Sequence, residues 1–183
     1  LEDAIRVLTN KGRFIEYLQQ VPNFNDEPRF FHYVTESIKS KEFSTFGTLG
    51  GSLNKDKAML KALAEGIERY CLYTYSPERI IKSSFNNLTV RGIDPTNTVS
   101  FTKSQLKNKE FSIFRISEHD LFEWVEGVSL LHHRPVWVPA QLVSLSYNFR
   151  NEKIIRIPIS TGAAAGSSMA GASCRAVWEC VER

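Results

Sequence analysis

The sequence predicts an α+β fold, a mostly antiparallel sheet with helices, built from a duplicated strand, glycine-rich turn and helix. Two observations carry that expectation. Apolar residues at helical spacing alternate with stretches rich in β-branched and aromatic residues, in the order helix, strands, helix, strands, helix. The stretch 51–69 also recurs as 165–183, each copy behind a glycine-rich turn and each ending in Ala-x-x-Glu-x-x-Glu-Arg.

Ile5, Leu8, Ile15 and Leu18 predict one helix over 4–20, and Pro22 to Pro28 reads as a loop. Phe30, Phe31, Tyr33 and Val34 predict a strand over 29–38. A second strand is expected over 43–49, with Gly47, Gly50 and Gly51 breaking the pattern. A long helix follows from Lys55 to about Tyr75, ended by Ser76-Pro77. Residues 86–97 are turn-rich, with Gly92 and Asp94-Pro95, and 101–107 reads as one or two helical turns. Four β segments are expected next, at 111–116, 121–131, 136–147 and 153–159, with a hairpin connection at 148–151. Arg134-Pro135 and Pro139 confine the middle of this region to strand ends or sheet edges. Residues 160–166 make a small-residue loop, and a last helix starts near Ser168.

Composition excludes several classes. The net charge of +3 is too small to argue for a nucleic-acid or membrane partner, and no stretch approaches the roughly 20 apolar residues of a membrane span. Cys71, Cys174 and Cys180 form no CxxC pair and are odd in number, which argues against a disulfide framework and for a reducing, cytoplasmic setting. Leu1-Glu2-Asp3 has no basic region leading into an apolar stretch, so no signal peptide is expected in this sequence. The chain does not start with Met and stops at Glu182-Arg183 inside a helical pattern, so we expect a piece of a longer domain.

The repeat carries the chemistry. On a helix Glu65 and Glu68 share a face, and Arg69, four residues from Glu65, stands on the same side. Met59, Leu63, Ile67 and Tyr70 form the apolar stripe expected to face the core. Glu179, Glu182 and Arg183 repeat the charged arrangement, with Val177 and Val181 on a more apolar side. Two carboxylates one turn apart suit a hard cation, and magnesium commonly takes one or two carboxylates together with substrate phosphates. An adjacent arginine offers a planar fork to phosphate oxygens. The glycine-rich turn before each helix brings backbone N–H groups and the positive end of the helix dipole to an anion. We therefore expect the two helices to lie close, their glutamates facing one cleft. A solvated salt-bridge ladder explains a single Glu-x-x-Glu-Arg well. Two copies in register favour the shared site, with charges paired between duplicated helices as the alternative.

Gly50-Gly51-Ser52 followed by Ala62-Leu-Ala-Glu65-Gly-Ile-Glu68-Arg69-Tyr70 resembles the first ATP-binding motif of YcaO-domain proteins. Ser160-Thr-Gly-Ala-Ala-Ala-Gly166, leading to Glu179-Cys-Val-Glu182-Arg183, resembles the second. Trp124-Val-Glu-Gly-Val-Ser-Leu130 and Val138-Pro-Ala-Gln-Leu-Val143 resemble the connecting strands, and Ile93-Asp94-Pro95 is similar to the cyclodehydratase branch that matures thiazole/oxazole-modified peptides. The resemblance spans 43–183, a partial ATP-binding domain after an N-terminal helix and leading strand in 1–42. It implies ATP- and magnesium-dependent activation of peptide backbone amides, by phosphorylation of the amide oxygen. Glu65, Glu68, Glu179 and Glu182 would bind magnesium and nucleotide, Arg69 and Arg183 would contact phosphates or lock carboxylates, and Ser52 would join the nucleotide site. It also implies a peptide substrate, a partner protein that presents the leader peptide and a possible homodimer. No catalytic residue is assigned. Many members carry Gly-Lys-Gly where this chain has Gly50-Gly51-Ser52, which makes Lys55 or Lys57 the candidate for the missing charge. Many also carry Ser where this chain has Lys61. The competing reading is a non-catalytic peptide- or partner-binding scaffold in which the motif carboxylates sit in structural salt bridges.

Other residues have plainer expectations. His132-His133 reads as a turn or surface pair, since neighbours in a strand face opposite ways. The three cysteines are expected as packed thiols, and Trp124, Trp137 and Trp178 in the core or at an interface. Asn87-Leu88-Thr89 is a formal glycosylation sequon with no meaning outside secretion.

Overall fold

The computed structural model describes residues 1–9, 14–40, 44–76, 78–98, 101–149 and 151–183. They form two compact units, one of Leu1–Thr74 with Ser160–Arg183 and one of Tyr75–Ile159. No helix among the described residues is long and apolar enough to cross a membrane.

The first unit contains α1 (Glu2–Thr9), β1 (Ile15–Val21), β2 (Phe31–Ser37), β3 (Gly47–Ser52), α2 (Lys55–Tyr73) and α3 (Met169–Glu182). The strands make an antiparallel sheet in the order β1-β2-β3. The sheet turns Tyr33, Thr35, Ser37 and Thr48 inward, and α2 packs on β2 and β3. The Thr48 hydroxyl donates to the Ala62 carbonyl at 2.8 Å, so this partly polar face satisfies itself against the helix.

Small residues allow the close approach. Ala58, Ala62 and Gly66, at every fourth position of α2, are buried with Leu63. A Cβ on Gly50 would stand 2.0 Å from the Ala58 carbonyl oxygen and 2.4 Å from the Ala62 nitrogen. The expected stripe of Met59, Leu63, Ile67 and Tyr70 is therefore corrected: Leu63 belongs to the core, whereas Ile67 is exposed. Nor do the glycines break the strand. Gly47, Gly50 and Gly51 lie within β3, where a missing side chain lets the helix backbone come near.

The helix expected over 4–20 is also corrected. It ends at Thr9, 10–13 lie outside the described residues, and Ile15 to Val21 pair with β2 instead. Ile15 and Leu18 fit helical spacing, but Ile15 is buried against Gly66 of α2, and strand pairing overrides the local pattern. Pro77, expected to end α2, and Phe43, expected to open a strand, lie outside the described residues.

The second unit holds the antiparallel sheet β4-β5-β6, formed by Ile80–Ser84, Leu121–Val128 and Pro135–Pro139. Its core is Phe122, Trp124, Trp137 and Ile155. The Trp124 indole N–H donates to the Ser83 carbonyl at 2.9 Å. His132 and His133 are exposed in the β5–β6 turn, where His133 has φ 49°.

Two expected strands do not form, and a third is cut short. Residues Lys109–Phe114 are a 3-10 helix, because Asn108 caps it through the Glu110 N–H and the eclipsed Phe111 and Phe114 both reach Phe101. β6 ends at Pro139 and the chain turns through Ala140–Leu142, which carries Gln141 inward. Gln141 then accepts from the Ile155 N–H at 2.8 Å and donates to the Lys153 carbonyl at 3.1 Å. A side chain thus satisfies the backbone of 153–155 in place of a strand ladder. In the region 148–151, Glu152 N–H bonds the Phe149 carbonyl at 2.8 Å in a turn, with Arg150 outside the described residues.

Candidate functional site

Residues of the two repeat helices line one open cavity of about 540 Å³ within the first unit, in the size range of small-molecule sites. α2 contributes Lys61, Glu65, Glu68 and Arg69, α3 contributes Arg175 and Glu179 with Arg183 just beyond its end, and the small-residue loop contributes Ala163, Ala164 and Ala165.

Each helix fixes its own first carboxylate in the same way. Glu65 accepts from the Leu49 backbone N–H at 3.1 Å and from the Arg69 guanidinium at 3.3 Å. Glu179 accepts from the Gly162 N–H at 3.4 Å and pairs with Arg183 at 3.5 Å. Both carboxylates are thus oriented by one backbone donor upstream of the helix and one arginine four residues on. Gly162 holds φ 92°, and Gly166 packs against Ala172 so closely that a Cβ would meet its nitrogen at 2.7 Å.

Glu68 sits between them electrically. Burial pushes its carboxyl up to about 7 from 4.5, and the charges of Glu65 and Glu179 push the same way. The Arg69 guanidinium and a backbone hydrogen bond from Ala165 oppose the rise without cancelling it. A carboxyl so placed beside two others is a common mark of a functional site.

Of the seven residues singled out in the sequence, Glu65, Glu68, Arg69, Glu179 and Arg183 meet at the cavity. Glu182 is exposed and outside its lining, and Ser52 at the end of β3 accepts instead from the Asn54 N–H at 3.2 Å. Lys55 and Lys57, the expected replacement cations, do not line the cavity either; Lys61 does, one turn further along. Arg175 was missed too, although it stands four residues before Glu179 as Lys61 stands before Glu65. Among the described residues no three His, Cys, Asp or Glu side chains form a ready metal cage. Magnesium, which takes one or two carboxylates and completes its shell with phosphates and water, asks less than that. Four cationic side chains together with the paired carboxylates make a set that suits a polyphosphate with its metal.

The strand of the second repeat copy is not formed and the first copy's glycines lie in β3 rather than in a turn, so the two copies correspond in the helix and its cap. The cysteines are corrected as well: Cys71, Cys174 and Cys180 are free and exposed rather than packed. Trp178 is 71% exposed on α3, unlike Trp124 and Trp137.

Among curated proteins none matches the chain. Solved structures do. YcaO from Methanopyrus kandleri, bound with AMPPCP and Mg2+, matches with a TM-score of 0.68 at 20% identity, over 97% of this chain and 39% of its own. A heterocyclase in complex with substrate and cofactor gives a TM-score of 0.76 at 17% identity, over 96% of this chain and 26% of its own. The heterocyclase TruD gives 0.60 at 24% identity, over 71% of this chain and 20% of its own. The chain thus spans well under half the length of these structures, and at such identities they show the fold. The family profile described as YcaO cyclodehydratase, ATP- and Mg2+-binding, matches residues 49–183, from within β3 through both copies of the repeat, and the chain belongs to the YcaO family.

Proposed function

We propose that this chain provides part of an ATP- and magnesium-dependent site that activates peptide backbone amides, of the cyclodehydratase kind that makes azolines in ribosomal, bacteriocin-like peptides. The observation that carries the reading is the meeting of Glu65, Glu68 and Glu179 with Arg69 and Arg183 around one cavity. Family membership and neighbours that bind AMPPCP with Mg2+, or substrate with cofactor, support it.

In this reading the bound nucleotide supplies an electrophilic phosphoryl group for the amide oxygen. The chain's own residues bind and orient. Glu65, Glu68 and Glu179, with Glu182 at the margin, are the residues that would hold magnesium, and Arg69 and Arg183 would keep the carboxylates aimed and offer their guanidinium groups to phosphate. Ser52 is proposed as a further contact at the edge of the nucleotide site. Residues 43–183 are proposed as the ATP-binding part of a longer domain, and 1–42 as its lead-in. A peptide substrate, a protein that presents its leader, a homodimer and a cytoplasmic setting belong to the same proposal.

Calorimetry of ATP binding with and without magnesium tests it. Binding that needs magnesium and falls at least tenfold in Glu65→Gln and in Glu179→Gln is expected. Equal binding in both variants would sink the assignment. It would instead favour a scaffold role, which the Glu65–Arg69 and Glu179–Arg183 ion pairs also suit.

A further inference from the structure

The register of the repeat extends past the acidic motif. Lys61 and Arg175 stand at the same offset as Glu65 and Glu179, each four residues before its glutamate. Both line the cavity. Lys61 Nζ donates to the Gly51 carbonyl at 3.0 Å, and Arg175 Nη1 donates to the Ala165 carbonyl at 2.9 Å. In each case the acceptor lies ten residues upstream, and Gly51 and Ala165 are themselves equivalent in the repeat. Two different cationic side chains thus make one contact twice.

Their charge is not matched as the other cavity cations are. Arg69 and Arg183 pair with Glu65 and Glu179 at 3.3 and 3.5 Å. Neither Lys61 nor Arg175 pairs with a carboxylate among the described residues. Their partners are neutral carbonyls, weaker acceptors than an anionic oxygen. Both side chains are exposed, so exchanging a carbonyl for a phosphate oxygen leaves only that backbone carbonyl for water to satisfy. The two charges come from different helices, α2 and α3, that line one cavity.

We propose that Lys61 and Arg175 are an equivalent cation pair that captures a polyphosphate directly, without a bridging divalent ion. The inference rests on the cavity being the anion site of the proposed function, but not on its metal.

Calorimetric titration of the chain with inorganic tripolyphosphate in excess chelator tests it. The wild type binds, and Lys61→Gln and Arg175→Gln each weaken binding roughly fivefold, the scale of one exposed charge pair. Lys57→Gln, on α2 but outside the cavity lining, leaves binding unchanged. Failure of the wild type to bind, or an equal loss in Lys57→Gln, overturns the pair. Binding of ATP with magnesium but not of chelated tripolyphosphate sinks this inference and leaves the nucleotide reading standing. Capture of tripolyphosphate through both residues, with no ATP binding, does the reverse.

Discussion

Asn54 and Ser168 cap the two repeat helices at equivalent positions. The Asn54 side-chain oxygen accepts from the Lys57 N–H at 2.9 Å, and the Ser168 hydroxyl accepts from the Gly171 N–H at 3.1 Å. Lys57 and Gly171 stand in the same register as their caps. Each bond satisfies one of the orphan donors of a first helical turn. Asn54→Ala should cost about 1 kcal/mol of global stability, because α2 is buried in its unit. Ser168→Ala should act locally, since α3 has no buried residue. Urea melts should register the first, and faster amide exchange in the opening turn of α3 the second.

Gly50 tests the approach of helix to sheet. The backbone of α2 occupies the place of an added Cβ, so Gly50→Ala should lose about 3 kcal/mol by overpacking. At Gly51 the nearest atom is 3.7 Å away, on the His32 ring, so Gly51→Ala should stay within about 0.5 kcal/mol of wild type. Similar denaturation midpoints for the two variants would contradict the packing account.

Glu68 gives a pH dependence with a definite sign. Its pKa is about 7 in the folded chain against 4.5 in the reference state. Between those values the folded state holds more protons, so this group lowers stability as pH rises through that window. Glu68→Gln should remove that slope and stabilise the chain above pH 7, by roughly 1 kcal/mol once solvent screening at the open cavity is discounted. Thermal melts from pH 4 to pH 8 check it. A wild-type profile with the same slope as the glutamine variant would count against it.

Gln141 should matter far more than its type suggests. Gln141→Leu keeps the bulk but strips the Ile155 N–H and the Lys153 carbonyl of their partner. A loss of about 1–3 kcal/mol is expected, with faster amide exchange at Ile155. Its Nε2 also reaches Glu152 at 3.4 Å, which in turn accepts from the Tyr147 hydroxyl at 2.8 Å. Tyr147→Phe, which removes the last of these bonds, should cost less than Gln141→Leu.

The sequence was most readable where local signals agreed with tertiary ones. The helix starts read at Lys55 and near Ser168 place both repeat helices to within a residue or two. Glu65, Glu68 and Glu179 were legible because register between distant segments is information that a single helix lacks. The misreadings share one cause. Ile15 to Val21 carry a pattern that suits either helix or strand, and only pairing with β2 decides. Gly50 looks like a breaker until the helix it admits is in view. Residues 153–159 look like a strand, but a glutamine side chain from elsewhere takes the bond that a neighbouring strand would have made. Lys61 and Arg175 were hidden by attention to the acidic positions, although the same offset points to them.

The first unit is discontinuous in sequence, closed by Ser160–Arg183 only after Tyr75–Ile159 has intervened. On the ribosome, α2 emerges with Glu65, Glu68 and Arg69 in place but nothing opposite them. Translation of the next ~100 residues takes on the order of 5–20 s, long compared with helix formation. Through that interval the nascent chain carries one helix of the cavity without the other. The second arrives with α3, so a ligand of the cavity cannot template the early folding of α2 and can enter only once synthesis has passed the second repeat copy.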